Sequence, residues 1–178
     1  MTGAAGASDM NPSAPTLLVT PLSREAFAPF GDVLDACGPA DDVANAGAAH
    51  VFRDRAAADY TAEDGRIRFN VVRTAPRRLP LAIEMLERHP LSSQLFSPLA
   101  AADWLVVVAP AGMLDPDAIV AFRARPDQAV SYRRGVWHHP LIALDRASDF
   151  LVVDRAGPGA NLDIERLASP FMIASLDV

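Results

Sequence analysis

Residues Trp104-Leu105-Val106-Val107-Val108-Ala109 form an unbroken apolar run. Its length suits a buried strand, and a buried strand needs neighbours on both edges. The chain supplies them. Ile119 to Phe122, Ala129 to Tyr132, Trp137 to Leu144 and Phe150 to Asp154 follow as short strand-like stretches, separated by turns that carry Pro, Gly or Asp. Short strands at nearly regular spacing favour a β-sandwich or β-barrel.

The remaining segments fit that frame. Thr16 to Thr20 reads as a first strand, and Ser23 to Phe27 as a helical turn with Ser23 as N-cap, closed by Gly31. Ala36 to Gly47 is rich in Gly, Ala and Asp and reads as a loop, followed by a strand near His50 to Arg53. Ile67-Arg68-Phe69-Asn70-Val71 alternates as a half-buried strand does. Leu81 to His89, bounded by Pro80 and Pro90, is read as a strand with Leu81, Ile83, Met85, Glu87 and His89 on one face. Leu162 to Leu167 is expected to be a terminal helix.

At 178 residues the chain fits one domain, with residues 1–15 as a disordered tail and 16–178 as the folded unit. The tail has neither the basic start nor the apolar centre of a secretory signal. Cys37 is the single cysteine, so no internal disulfide can form, and a cytoplasmic location follows as the default. No apolar window approaches the roughly twenty residues a membrane helix needs. A net charge of −6 without basic clusters argues against nucleic acid as a partner. All 16 cationic side chains are arginine, which excludes lysine Schiff-base chemistry.

The chemistry concentrates in two places. One is Leu86 to Phe96, holding Glu87, His89 and Gln94; the other is Tyr132 to Leu141, holding Arg133, Trp137, His138 and His139. Glu87-x-His89-x4-Gln94 reproduces, with two substitutions, the metal-ligand spacing of cupin barrels, and Arg133-x-Gly135-x2-His138 matches its second half. Residues at i and i+2 on a strand point the same way, so two strands can bring Glu87, His89, Gln94 and His138 around one point. Two imidazoles and a carboxylate make a plausible set for a divalent metal. The alternative is structural: Glu87 pairs with an arginine such as Arg88 or Arg73, and the histidines hydrogen-bond within the pocket. His139 should face the other side of its strand, His50 reads as a loop or surface residue, and Trp137 as core or pocket wall.

Leu86 to Pro98 and Gly135 to Leu141 resemble the two hallmark segments of the ureidoglycolate lyase family. Collinear similarity extends from about Leu18 to about Leu167 and includes Phe30-Gly31-Asp32-Val33, Arg73 before Pro76, Asp149-Phe150 and Asp154-Arg155. The run from Asn45 to Asp54 diverges from the family. The resemblance implies a mainly β, cupin-like barrel (a double-stranded β-helix) with a few short helices, active as a homodimer in allantoin and purine breakdown. It implies release of urea from (S)-ureidoglycolate, leaving glyoxylate, with a divalent metal such as nickel, manganese or zinc as cofactor. Glu87, His89 and His138 are then the expected catalytic and metal-binding residues, and Arg73, Gln94, Arg133 and Trp137 the expected substrate contacts. Asp149 and Asp154 are the next candidates for the chemistry. Two other readings remain open at this point: an amidohydrolase that releases ammonia from the same compound, and a non-catalytic cupin that binds a small carboxylate.

Overall fold

The structure, a computed structural model, describes residues 14–176. Residues 1–13, most of the expected tail, lie outside the described residues. Pro15 lies within them, and its carbonyl accepts a hydrogen bond from the Met172 N–H at 2.8 Å.

Fourteen strands carry the described fold. They are β1 (Val19–Pro21), β2 (Gly31–Leu34), β3 (Asp42–Ala44), β4 (Ala49–Val51), β5 (Arg66–Thr74), β6 (Leu81–Arg88) and β7 (Gln94–Pro98). The second half holds β8 (Trp104–Ala109), β9 (Val120–Ala124), β10 (Ala129–Tyr132), β11 (Trp137–His138), β12 (Ile142–Ala143), β13 (Ser148–Ala156) and β14 (Asp163–Ile173). One helical turn, α1 (Arg24–Phe27), is capped as expected by Ser23, whose Oγ accepts from the Ala26 N–H. Among the described residues no helix is long and apolar enough to cross a membrane.

The strands form a seven-stranded sheet in the order β1-β9-β8-β11-β6-β14, with β12 also on β8, a five-stranded sheet in the order β2-β10-β7-β13-β5, and a two-stranded ribbon of β3 and β4. Pairing is antiparallel except between β1 and β9. One apolar cluster fills the space between the sheets, drawing Trp104, Val106 and Val108 from β8 and Phe96, Val130 and Phe150 from the opposing sheet. A second cluster covers the far face of the larger sheet with Leu105, Val107, Ala109, Leu81, Ile83 and Trp137. β8 is thus buried on both faces, which is why its sequence shows no alternation. The architecture is mainly β and cupin-like.

Four local expectations are corrected. The stretch expected as a helix from Leu162 is the start of β14, which lies along β6; pairing to an available sheet edge outweighs a weak helical period. The expected strand Trp137 to Leu144 is two short strands, because Pro140 lacks the N–H that would continue the ladder. Gly31 opens β2 and does not merely end the helical turn. In β6 the apolar row breaks: Leu81, Ile83 and Leu86 all enter the outer cluster, beside a register shift in β14 between Arg166 and Phe171.

β5 carries a further surprise. Asn70 pairs with Val152 and Val72 with Phe150, both residues of the inter-sheet core, so Arg68, Asn70 and Val72 face inward. Ile67, Phe69 and Val71 face outward, and Phe69 is 70% exposed. The alternation is real, but its polar side is the inner one.

Close sheet packing makes one glycine indispensable. Gly31 lies opposite Tyr132, and a Cβ placed on it would sit 1.9 Å from the Ser131 carbonyl oxygen. A backbone oxygen cannot swing aside as a side chain can, so β2 and β10 would have to separate. Gly31→Ala is therefore expected to destabilise the protein by on the order of 1–3 kcal/mol or more. Urea denaturation with an unchanged midpoint would contradict this.

Candidate active site

β11 consists of two residues, yet it carries the centre of the site. His138 pairs with Glu87 on β6 and with Val108 on β8. Val108 belongs to the inter-sheet core, so its cross-strand partners His138 and Glu87 also face between the sheets. His89 follows two residues after Glu87 and returns to the same side. Opposite them Tyr132 of β10 pairs with Gln94 of β7, and the β7–β13 register carries Asp154 alongside, with Arg68 of β5 next to it. One layer of the barrel is therefore polar where the layers below it are apolar.

The geometry within this layer is tight. His138 is 1% exposed, and Tyr132 stacks flat on its ring with centroids 4.2 Å apart. Its Nε2 lies 2.9 Å from Gln94 Oε1 and 3.6 Å from Glu87 Oε1, while Nδ1 lies 3.1 Å from the Val136 carbonyl. His89 lies beside it, with ring centroids 5.3 Å apart, and its Nδ1 lies 2.6 Å from the Asn161 carbonyl. Asn161 is itself anchored, since its side chain accepts from the Leu91 N–H and donates to Ser92 Oγ.

The contact to Asn161 selects a tautomer for His89. A carbonyl only accepts, so Nδ1 of His89 carries the proton and, in the neutral ring, Nε2 presents a lone pair. That Nε2 is buried and has no hydrogen-bond partner among the described residues. His138 faces acceptors on both sides, the Val136 carbonyl at Nδ1 and Gln94 Oε1 with the Glu87 carboxylate at Nε2, so its contacts fix the orientation of the ring and not its tautomer. Ligand atoms of Glu87, His89 and His138 all lie within 4.8 Å of one another. Histidines whose second nitrogen is fixed by a carbonyl, with a neighbouring carboxylate, are suited to a divalent ion, and the orphaned His89 Nε2 is the atom such an ion would satisfy. The residues present fit the metal.

Electrostatics keeps this arrangement ready. Burial holds the His138 imidazolium below its ordinary range and outweighs the attraction of Glu87. Burial pushes Glu87 up, but the neighbouring imidazoles of His138, His89 and His139, when protonated, together bring it below the usual carboxylate value. His139, half-buried with Nδ1 2.8 Å from the Pro140 carbonyl, is also held down, chiefly by burial. At neutral pH an ionised carboxylate thus faces an unprotonated His138.

The structure gathers four of the expected site residues, Glu87, His89, Gln94 and His138, and leaves three elsewhere. Arg73 shares the outer face of its sheet with Asp149, which it binds through Nε and Nη2 at 2.7 and 2.8 Å. Arg133 donates to the Ala28 carbonyl and pairs with Asp32. Trp137, on the opposite side of β11 from His138, sits in the outer cluster, donates to the Gly112 carbonyl and underlies the Arg88 guanidinium at 4.5 Å. Arg88 in turn binds Asp163, so it is not the partner of Glu87. His50 is exposed on β4, within the divergent run, which forms the turn between β3 and β4, β4 itself and the short chain beyond it.

A cavity of about 460 Å³ opens onto the cluster, lined by Arg68, Glu87, His89, Asp154 and Asn161 among others. Reasoning from the sequence gave no role to Arg68 or Asn161. The alternation in β5 set Arg68 apart from its neighbours but not on the inner face; Asn161 acts through its backbone carbonyl, which no side-chain pattern reveals. A larger groove of about 1050 Å³ lies over β6 and β14 beside Trp137 and does not contain the cluster.

Comparison with known proteins points the same way. The family described as ureidoglycolate lyase matches residues 14–174. The ureidoglycolate lyase of Burkholderia mallei is 51% identical over 152 residues, covering 85% of this chain and 89% of that protein. That of Burkholderia cepacia is 51% identical over 84% of this chain and 85% of its own. That of Rhizobium etli is 48% identical over 87% and 93%. Among solved structures, RmlC from Streptococcus suis in complex with dTDP-D-xylose superimposes with a TM-score of 0.41 at 11% identity, over 53% of this chain and 46% of that one, too partial an overlap to inform the site.

The depressed His138 value has a measurable sign. A base that protonates less readily when folded makes stability fall as pH drops below its unfolded value, here 6.5, and the loss is complete once pH passes the folded value. Glu87 acts in the same direction at lower pH, because its folded value lies below 4.5. In metal-free protein the His138 ring resonances should titrate with a midpoint below 6.5, and the melting temperature should decline on acidification from that point. A midpoint at or above 6.5 would show that Glu87 outweighs burial.

Proposed function

The chain belongs to the ureidoglycolate lyase family, and from that premise we propose that its polar layer cleaves (S)-ureidoglycolate to glyoxylate and urea. The observation that carries the reading is the convergence of Glu87, His89 and His138 within 4.8 Å at the mouth of a cavity. The substrate bears a carboxylate, an α-hydroxyl and a ureido nitrogen on one carbon. Removal of the hydroxyl proton forms the new carbonyl, the carbon–nitrogen bond breaks, and the departing nitrogen takes up a proton as urea. No net proton is gained or lost.

A single carboxylate can therefore serve both ends of the reaction. Glu87, ionised at neutral pH, accepts the hydroxyl proton, and in its neutral form it can return that proton to nitrogen. His89 and His138 stand beside it, and Gln94 Oε1 lies 2.9 Å from Nε2 of His138. These three side chains would hold a divalent ion, with nickel, manganese and zinc all compatible with a nitrogen and oxygen donor set. Such an ion, when bound, would acidify the α-hydroxyl and orient the substrate. A carboxylate has two oxygens, so Glu87 could contribute to holding such an ion and still offer an oxygen to the proton.

This reading includes a homodimer in the cytoplasm. Support for pairing comes from β5, an edge strand whose outward row Ile67, Phe69 and Val71 is apolar and exposed, a combination that partners usually cover. Light scattering should give twice the chain mass, and Phe69→Glu should shift the population toward monomer. A monomeric wild type at micromolar concentration would remove this part of the proposal.

Purified protein incubated with ureidoglycolate is expected to release urea; ammonia as the first nitrogen product would indicate an amidohydrolase instead. His89→Ala and His138→Ala should each lower turnover by roughly a hundredfold to ten-thousandfold. Added divalent ion should raise the melting temperature of the wild type but not of His138→Ala. Turnover near the wild-type level in both variants would move the chemistry elsewhere.

A further inference from the structure

We propose that Arg68 is the residue that recognises the substrate's carboxylate, with Asp154 as its positioning partner; the inference rests on the lyase reading and assigns its specificity. An anionic substrate entering this cavity meets two carboxylates, Glu87 and Asp154, within a protein of net charge −6. A local cation is needed to offset that field. Two arginines line the cavity. Arg155 is 4% exposed, and its guanidinium is occupied by the carbonyls of Ala62, Glu63 and Pro158.

Arg68 differs in each respect. It stands on the inward face of β5, in the same layer as Gln94 and His138, and its side chain is 50% exposed. Asp154 engages its Nε and Nη2 at 2.8 and 3.0 Å. Nη1 takes part in no hydrogen bond among the described residues, so both of its N–H groups remain to be used. The bidentate ion pair fixes the plane of the guanidinium and therefore the direction of that edge. A carboxylate bound there would hold the substrate at the end of the cavity across from Glu87 and His89.

The test compares ureidoglycolate with its carboxamide analogue, which is uncharged, as substrates for the wild type, Arg68→Gln and Arg68→Lys. For the acid, Arg68→Gln should raise KM roughly ten- to a hundredfold with little change in kcat, as expected for a contact equally strong in ground and transition states. For the neutral analogue, KM should barely change, and Arg68→Lys should recover part of the loss for the acid. Asp154→Asn, which leaves the guanidinium untethered, should give a smaller rise in KM. Equal losses for acid and analogue, or an unchanged KM for the acid, would overturn the assignment. If Arg68→Gln does not fold, the same comparison is made between Arg68→Lys and wild type, where a KM ratio of acid to analogue equal to that of the wild type overturns it. Absence of urea release by the wild type would instead defeat the lyase reading, and glyoxylate binding by calorimetry to wild type and Arg68→Gln would then decide whether Arg68 binds a carboxylate at all.

Discussion

The pairing of β11 between β6 and β8 is the contact on which the rest of the molecule depends. A two-residue strand has no stability of its own, so its place is set entirely by the ladders on either side. Those ladders bring His138 beside Glu87, at the separation of cross-strand neighbours. They also turn Trp137 to the other face, where it seals the outer apolar cluster. One short element thus closes the sheet and assembles the site, and a shift of one residue would exchange the two side chains.

Polarity in this layer is costly, and the surrounding contacts show how the cost is met. His138 is shut off from solvent between Tyr132 stacked on one face and Phe96 approaching edge-on at 5.9 Å. Burial keeps it unprotonated, and a neutral imidazole needs only one acceptor and one donor or cation. Val136 supplies the acceptor for His138, and Asn161 supplies it for His89. Nε2 of His89 stays buried without a partner among the described residues. A fold that orients both rings by backbone carbonyls and leaves that atom open sets the direction of its histidines before any ligand arrives.

Much of this was legible in the sequence. The apolar run of β8 gave a buried strand, the turn residues gave a multistranded β fold, and the spacing of Glu87, His89, Gln94 and His138 gave a cluster that the structure brings together. The failures share one cause. Alternation in Ile67 to Val71 reports two unlike faces but carries no information on which face meets the core, and here Arg68 and Asn70 are the inward ones. Likewise a strict period of two placed Leu81, Ile83 and Glu87 on one row, whereas a break within β6 sends Leu86 outward and frees Glu87 to face His138. Arginine patterns fared worst, because a guanidinium reaches partners far away in sequence: Arg73 finds Asp149 and Arg133 finds Ala28.

The inversion of β5 links recognition to assembly. Arg68 points into the cavity from the same strand whose opposite face exposes Ile67, Phe69 and Val71, and that strand has a sheet neighbour on one side only. Edge strands open locally at lower free energy than central ones, so a guanidinium on such a strand is held less firmly than Gln94 on β7, which has neighbours on both sides. Two features counter this. Asp154 clamps the guanidinium from β13, and a second copy covering the outer row would raise the cost of opening β5. Pairing of copies would then act on substrate recognition without any residue crossing into the partner's cavity, because the strand being stabilised is the one that carries Arg68.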